Sequence, residues 1–525
     1  MAKRVYNIMF HTHTISGIII SAALYVIFFT GSISFLRDEI IAWERNEPVK
    51  KDFFLQSDFD ELLTSINEEY HLKGRDISFV RHIEGRNVVT KISPSKDTLA
   101  PKKEQKGAFF YTNLKSFKNV NYNQNYSLGE FFYRLHFFAQ LNFYGRSGYL
   151  LSGLIAFFFL FAIITGVIVH WKKVVPNFYL FRPKTKWKTI WTDAHVALGI
   201  IGLPYQFIFA VTGAYLIIGY TVMLGPVQEY IFKGNSKAVA EATSYKKNIS
   251  YEYKAKSLEK AVSINDFVIK AQQEYPKLQL NSVEIFNYGD ENMHVKVGGY
   301  PKYKDNFLSS GNVTFKVKDG KIVNRKDPNN SLSYIEGATN TIKRLHFGDF
   351  GGYGMKLIYL VLGFVTCFVI ISGVLIWLVA RDKKSTPNYK RKFNSWLVNI
   401  YMAICLSLYP ITAFVFIATK LFLYNNGDNR KAFIYQVFFW GWLLLSSIFI
   451  IKKDDYLTNK VSLLLGSILG FLVPVSNGIV SNNWLWISWQ KEYYQIFVVD
   501  VFWLLMSITS FCIFLKVKRN KPLKG

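Results

Sequence analysis

The sequence predicts a mainly α, polytopic membrane protein: about eight transmembrane helices, two extracytoplasmic α+β domains, and a parallel internal repeat in the first four helices. Three observations carry this. Of 525 residues, 50% are hydrophobic and 17% aromatic, so lipid is part of the solvent. Eight apolar stretches approach the roughly 20 residues that a spanning helix needs. They lie near 14–36, 148–171, 196–222, 355–380, 395–423, 433–451, 461–480 and 495–515. The same residue types also recur at the same offsets in helices 1 and 3.

Lys3 and Arg4 precede the first stretch, whose apolar run is longer than a signal-peptide core and is followed by no small-residue cleavage site. It is expected to be an uncleaved anchor. A net charge of +27 would point to nucleic acid in a soluble protein, but here the cations cluster beside helix ends. Lys172, Lys173, Arg182, Lys184, Lys186 and Lys188 fill the second connection, and Arg381, Lys383, Lys384, Lys390, Arg391 and Lys392 the fourth. Lys452, Lys453 and Lys460 fill the sixth, and Lys516, Lys518, Arg519, Lys521 and Lys524 form the tail. By the positive-inside rule the even connections and both termini are cytoplasmic, and no nucleic-acid partner is implied. The loops at 424–432 and 481–494 are poorer in Lys and Arg. Cys367, Cys405 and Cys512 all fall in apolar runs, so no disulfide framework, zinc pattern or covalent haem attachment is available.

That orientation places two long segments outside. The expected organisation is helix 1 at 1–36, an outer domain at 37–147, helices 2 and 3 within 148–222, a second outer domain at 223–354, helix 4 at 355–380, and four more helices over 395–515. In the first outer domain Asp58 to Tyr70 reads as an amphipathic helix, and 76–83, 87–93 and 108–112 as strands. In the second, Ser257 to Tyr275 is the predicted helix, with strands near 280–287, 292–298, 312–317 and 321–323. Each domain returns to the membrane through a capping-box sequence, Ser127 with Glu130 and Ser333 with Glu336, which predicts a short amphipathic helix.

The duplication is sharpest in the helices. His13 is followed by Gly17 and Thr30-Gly31; His195 is followed by Gly199 and Thr212-Gly213 at identical offsets. Helix 2 closes with "IITGVIVHW" and helix 4 with "IISGVLIWL". Both units start on the cytoplasmic side, so the repeat is parallel, and binding sites are expected between its halves.

Of nine histidines, His11, His13, His136, His170, His195 and His346 sit at the predicted membrane borders. Ionisable groups there are costly and default to function. A repeat axis between helices 1 and 3 brings His13 and His195 to one metal from opposite sides, and the same operation pairs His136 with His346. The two levels are about 30 to 35 Å apart at 1.5 Å per residue, which gives two sites. His170, aligned with Trp377, and His11, aligned with Asp193, are weaker candidates. His71, His82 and His294 have no repeated counterparts and are read as surface residues. Gly17, Gly31, Gly166, Gly199, Gly213 and Gly373 either allow close helix packing or open a face to a flat ligand. Trp171, Trp187, Trp191 and Trp377 read as belt residues at the inner boundary.

Residues 5–380 resemble the PepSY-associated transmembrane helix proteins, often described as iron-regulated membrane proteins. The carriers are "HTHTISGIII", "RLH" before helix 2, "TGVIVHW", "DAHVALGIIGLPYQFIFAVTGAY" and "RLHFGDFGGYG". The resemblance implies PepSY-like outer domains and two non-covalent haems b, ligated by His13, His195, His136 and His346, with His170 and His11 as possible substitutes. It also implies a ferric-siderophore or ferric-chelate reductase of the bacterial inner membrane, fed by an unknown electron donor. No general acid or base is expected, so no catalytic side chain is named. The alternative is a non-redox, membrane-anchored PepSY binding or regulatory protein; a permease is a third reading. The four helices after residue 395 contain no histidine and depart from the minimal pattern. With Pro410, Pro474 and Asp500 they could form a scaffold, a quinone pocket or a partner surface.

Overall fold

The computed structural model describes residues 3–49, 53–82, 85–171, 182, 187–236, 238–239, 250–260, 262–330, 332–424 and 429–518. Lys172, Lys173, Lys184 and Lys186 of the second connection, and Arg519, Lys521 and Lys524 of the tail, lie outside them. Among the described residues eight helices are long and apolar enough to cross a membrane. They are Lys3–Ser34, Ser147–His170, Thr189–Gly219, Asp349–Arg381, Asn388–Leu423, Arg430–Lys452, Asp455–Ser481 and Tyr494–Lys516, called spans 1 to 8. The chain is mostly helical and divides into two compact units, each described by itself. One comprises Met1–Pro48, Tyr126–Gly225 and Leu345–Gly525; the other comprises Val49–Asn125 and Pro226–Arg344.

In the helical unit, span 1 packs on spans 2 and 4, and span 3 packs on the same two. The first four spans therefore form a four-helix bundle in which spans 1 and 3, the carriers of His13 and His195, lie on a diagonal. Small residues permit the close approach: a Cβ on Gly363 of span 4 would collide with the Ser32 hydroxyl of span 1. Span 3 is an α-helix to Ala214 and continues with π-helical turns over Tyr215–Met223. Spans 5, 6, 7 and 8 pack around span 5 and span 7, with span 5 against spans 1 and 4.

Contacts within this unit sort the connections by end. Asn46, just past span 1, bonds the Tyr424 hydroxyl at 3.2 Å, and its amide oxygen accepts from Asn483. Connections 1, 5 and 7 thus share one end of the bundle. At the other, Lys460 donates to the Val517 carbonyl at 3.3 Å, joining connection 6 to the tail. For these connections the alternation expected of a chain that crosses with every span is present.

Both capping sequences start short helices. Ser127 Oγ accepts from Glu130 N at 3.1 Å, opening Leu128–His136, and Ser333 Oγ accepts from Glu336 N at 3.2 Å, opening Tyr334–Phe347. The two glutamates turn to cations: Glu130 to Arg37 and Arg134, Glu336 to Lys326. A further helix, Arg37–Arg45, follows span 1 and packs on both Leu128–His136 and span 8.

The second unit contains one antiparallel sheet built from both outer segments. Its strands are β1 (Ile77–Arg81), β2 (Asn87–Ile92), β3 (Ala108–Asn113), β4 (Asn119–Val120), β5 (Leu278–Phe286), β6 (His294–Pro301), β7 (Gly311–Lys316) and β8 (Ile322–Lys326). The order is β4-β3-β2-β1-β5-β6-β7-β8, so two four-stranded halves meet edge to edge, with Ile77 opposite Ile285 and Val80 opposite Ser282. Helices Phe59–Tyr70 and Ile264–Glu274 cover one face. Phe59, Leu62, Ile66, Ile264 and Phe267 bury against Phe79, Val283 and Val295 there. The helix starts lock reciprocally: Asp60 accepts from Ile264 N at 2.6 Å, and Asn265 accepts from Phe59 N at 2.8 Å.

The first outer helix starts where expected, with Asp58 as its cap. The second does not extend from Ser257. Ser263 Oγ accepts from Asp266 N and starts the helix at Ile264, while Ser257 forms a β-bridge with Asp290. A serine cap three residues before an acid outweighed the apolar periodicity upstream. The reading of His294 as a surface residue is also corrected: it is buried, with its ring stacked on Tyr251 at 3.6 Å.

Asn287, buried at φ 53°, holds the turn after β5 together: its amide donates to the Glu252 carbonyl at 3.0 Å, and Lys96 donates to its oxygen at 2.6 Å. Asn287→Ala is expected to cost about 1–3 kcal/mol locally by leaving buried partners unsatisfied. Amide exchange of β5 and β6 in the intact protein measures this, and unchanged protection would show the bonds to be dispensable.

Candidate functional site

The bundle of spans 1 to 4 brings four histidines together in two pairs. The His13 and His195 ring centres are 6.4 Å apart, and those of His136 and His346 are 6.0 Å apart. Imidazoles on opposite sides of one metal, each at a bond length of about 2 Å, hold their ring centres roughly 6 Å apart. Both pairs have that spacing. They occupy different levels: His13 and Gly31, beside which the His136 ring lies, are 18 residues apart on span 1, about 27 Å.

Every one of the four rings is anchored through Nδ1. His13 Nδ1 lies 2.8 Å from the Ala162 carbonyl of span 2, and His195 Nδ1 lies 2.9 Å from the Val369 carbonyl of span 4. His136 Nδ1 lies 2.8 Å from the Ile27 carbonyl of span 1, and His346 Nδ1 lies 2.8 Å from Thr212 Oγ1 of span 3. A carbonyl only accepts, so in the first three Nδ1 carries the proton. Thr212 already donates its hydroxyl proton to the Ile208 carbonyl at 2.7 Å, so it too accepts from His346. The tautomer is thereby set four times over, and Nε2 is left with a free lone pair, as a metal-ligating imidazole requires.

Glycines make the approach possible. A Cβ at Gly166 would stand 3.0 Å from His13 Cε1, one at Gly373 3.2 Å from His195 Cε1, and one at Gly31 2.5 Å from His136 Nδ1. In each case the accepting carbonyl is four residues before the glycine: Ala162 before Gly166, Val369 before Gly373, Ile27 before Gly31. That carbonyl bonds the glycine N–H along the helix, and the missing side chain exposes its second lone pair to the imidazole. Gly213 is looser, with His346 Cε1 at 3.9 Å, and there the threonine hydroxyl replaces the carbonyl. Gly17 and Gly199, one turn past His13 and His195, have nothing within 4 Å of a built Cβ. Four of the six glycines therefore make room for imidazole rings, a role not among the two expected, and two border open space.

Phe209 packs on the His346 ring at 5.0 Å and on Tyr205 and Tyr359 at 4.3 and 5.2 Å, so aromatic rings line one side of the His136–His346 pair. Burial holds His136 and His346 below the ordinary imidazole range, and for His346 the neighbouring His136 adds to the effect. Both rings are therefore neutral at physiological pH.

The remaining candidates fall elsewhere. His11 is exposed and lines a groove of about 1170 Å³ with Lys3, Arg4 and Phe158. Two residues from His13 on one helix, it faces away from the pair. His170, the last residue of span 2, lies within electrostatic reach of His195. Asp193, aligned with His11, is paired with Arg182 at 2.8 Å. Trp377 lies under Arg381 at 4.6 Å and Trp191 beside Phe368 at 6.0 Å, both in ordinary packing. Among the described residues no group of three or more His, Cys, Asp or Glu side chains gathers in a way that could hold a metal ion. What each pair offers is two imidazole rings about 6 Å apart.

The family model described as the PepSY-associated TM region matches residues 10–380. The chain belongs to this family. Among curated proteins none matches the chain. All four paired histidines of this PepSY-associated protein lie inside the matched region, which ends within span 4, and spans 5 to 8 lie wholly beyond it.

The Thr212 hydroxyl is the most removable anchor. Thr212→Val is expected to release the His346 tautomer while leaving His136 protonated on Nδ1; ¹⁵N-histidine NMR of the protein reads both, and an unchanged His346 signal would refute the assigned bond. Gly31→Ala is expected to dislodge His136, whereas Gly17→Ala leaves all four ring signals in place.

Proposed function

We propose that the protein carries electrons across a bacterial inner membrane through two haems b and reduces the ferric ion of a siderophore or similar chelate on the extracytoplasmic side, with both termini in the cytoplasm. The observation that carries this reading is that each of the two histidine pairs has its ring centres 6.0 to 6.4 Å apart with Nδ1 of every ring hydrogen-bonded, which leaves Nε2 as the nitrogen available to a metal. His13 and His195 would hold one porphyrin iron, and His136 and His346 the other. When bound, haem supplies one-electron chemistry that side chains do not.

The chain's own part is positional. The Ala162, Val369 and Ile27 carbonyls and the Thr212 hydroxyl fix the ring orientations. The openings beside Gly17 and Gly199 suit the face of a flat ligand. Phe209, Tyr205 and Tyr359 keep water from the outer pair, and a dry environment raises the influence of ligand and dipole on potential. No proton needs to be moved by a side chain for a one-electron reduction. The substrate side follows from coordination chemistry: hard oxygen donors hold Fe(III) strongly and Fe(II) weakly, so one electron loosens the chelate with no covalent bond broken.

The orientation is supported by charge. Arg381, Lys383, Lys384, Lys390, Arg391 and Lys392 lie between the last residue of span 4 and the first turns of span 5, and Lys452 and Lys453 at the end of span 6, at the ends read as cytoplasmic. The electron donor is not assigned.

Protein purified in mild detergent is expected to carry two haems per chain, to give a reduced-minus-oxidised haem b spectrum, and to be reoxidised by a ferric siderophore. Each of His13→Ala, His195→Ala, His136→Ala and His346→Ala should lower the content to about one. A colourless wild-type protein from haem-replete cells, or four single variants with full haem, would overturn the assignment.

A further inference from the structure

Each of spans 5, 6 and 8 sends one buried charged side chain toward the helix Arg37–Arg45, and these belong to no part of the histidine sites. Lys420 of span 5 donates to the Trp43 carbonyl at 2.6 Å and stands 4.8 Å from its ring. Asp500 of span 8 accepts from Trp43 Nε1 at 2.7 Å and from Asn477 of span 7 at 2.9 Å. Arg430 of span 6 is paired with Glu44 and donates to the carbonyls of Tyr126, at 3.1 Å, and Leu423, at 2.7 Å. Lys420 and Asp500 are wholly buried, and Glu44 and Arg430 nearly so. Charges inside a membrane protein are expensive to bury, and an arrangement of them is a sign of function.

The network ends on one helix. The second oxygen of Glu44 accepts from Leu128 N at 2.7 Å, the first residue of the helix that carries His136. A carboxylate at a helix N-terminus both satisfies an orphan donor and complements the dipole. Arg430 holds the residue before the cap, Tyr126, by its carbonyl. The same helix presses Phe131 on Phe438 at 4.8 Å and Phe132 on Phe416 at 5.9 Å, rings of spans 6 and 5. At its last residue it delivers the His136 ring to the Ile27 carbonyl of span 1. Gly129 completes the fit: a Cβ there would stand 2.5 Å from the Arg37 carbonyl. In the other repeat, the residues after span 3 are the π-helical turns and Leu224–Pro226, not a helix like Arg37–Arg45.

We infer that the C-terminal helices, which lie outside the matched family region, are a brace that positions His136 through Arg430 and Glu44. Arg430 and Glu44 are positioning residues: they act on the outer site through the start of the His136 helix. Arginine suits the task because its planar fork serves two carbonyls and a carboxylate from three separate nitrogens in a fixed geometry. As a statement about a haem ligand the inference rests on the proposed function; as a statement about the helix it does not.

The test compares Glu44→Leu, Arg430→Leu and Glu44→Gln in the full-length protein, with haem content, the low-spin bis-histidine signal and amide exchange as readouts. In the Leu variants, one of two haems is expected to be lost or its low-spin signal changed. Exchange of amides 129–136 should rise about tenfold or more, with amides 338–346 unchanged. Glu44→Gln keeps an acceptor for Leu128 N–H and should restore most of both. Two haems with an unaltered signal would overturn the brace; so would loss of both haems in all three variants, or an equal rise in exchange in both helices, since either marks general destabilisation. If the wild type holds no haem, the proposed function falls, and the exchange comparison alone decides the brace.

Discussion

Inside a helical bundle nearly every carbonyl is spoken for along its own helix, yet a buried imidazole must place its Nδ1–H on an acceptor. The rest of the histidine geometry depends on how this chain meets that requirement. A carbonyl oxygen has two lone pairs, and a ring approaching from the side reaches the second most directly where the residue four places on has no side chain. Gly166, Gly373 and Gly31 create that access for His13, His195 and His136. Because the acceptor cannot donate, the bond also chooses the tautomer, and the same small residue that admits the ring leaves Nε2 basic and directed away from the anchoring helix. One substitution type therefore controls packing, orientation and ligand chemistry together.

The internal repeat multiplies this device. Identical offsets in spans 1 and 3, and again in spans 2 and 4, mean that an axis between the two halves produces each pair without further design. The departures from symmetry are informative for the same reason. His346 takes a threonine hydroxyl where His136 takes a carbonyl, and the short helix before it is more than a turn longer. The C-terminal helices add a second asymmetry by directing buried charges at the first repeat, where their desolvation has to be offset by well-made partners. Glu44 meets that demand through one guanidinium and one helix N-terminus.

In the second unit every strand but the two-residue β4 was readable, because a half-buried sheet face imposes a period of two. Alternation specifies which face is buried; it is silent about which strand lies alongside. Edge strands present the same unpaired backbone whatever their side chains, so β1 and β5 could each have remained an edge. Their pairing joins the two halves in one eight-stranded sheet, and the reciprocal hydrogen bonds of Asp60 and Asn265 match the helices above to that seam. The late start of the second helix at Ile264 has a similar origin: periodicity extends a helix on paper, but a serine side chain that can satisfy the first free N–H ends the ambiguity locally.

By itself the sequence determined the eight spans, the duplication, and the membership of His13, His195, His136 and His346 in matched sets, since hydropathy, offset and residue type are local properties that survive without coordinates. It flagged the Thr-Gly and Ser-Gly pairs but could not say what they were for. Only the tertiary structure decided that Gly31, Gly166 and Gly373 admit imidazole rings while Gly17 and Gly199 border open space, that His11 faces away, that His294 is buried, and that spans 5, 6 and 8 converge on Glu44 and Trp43. The acceptors in question are backbone carbonyls, which every residue carries, and a partner 300 or more residues away leaves no periodic trace. Pattern reports the face a residue occupies on its own element; what stands opposite that face is settled when the elements pack.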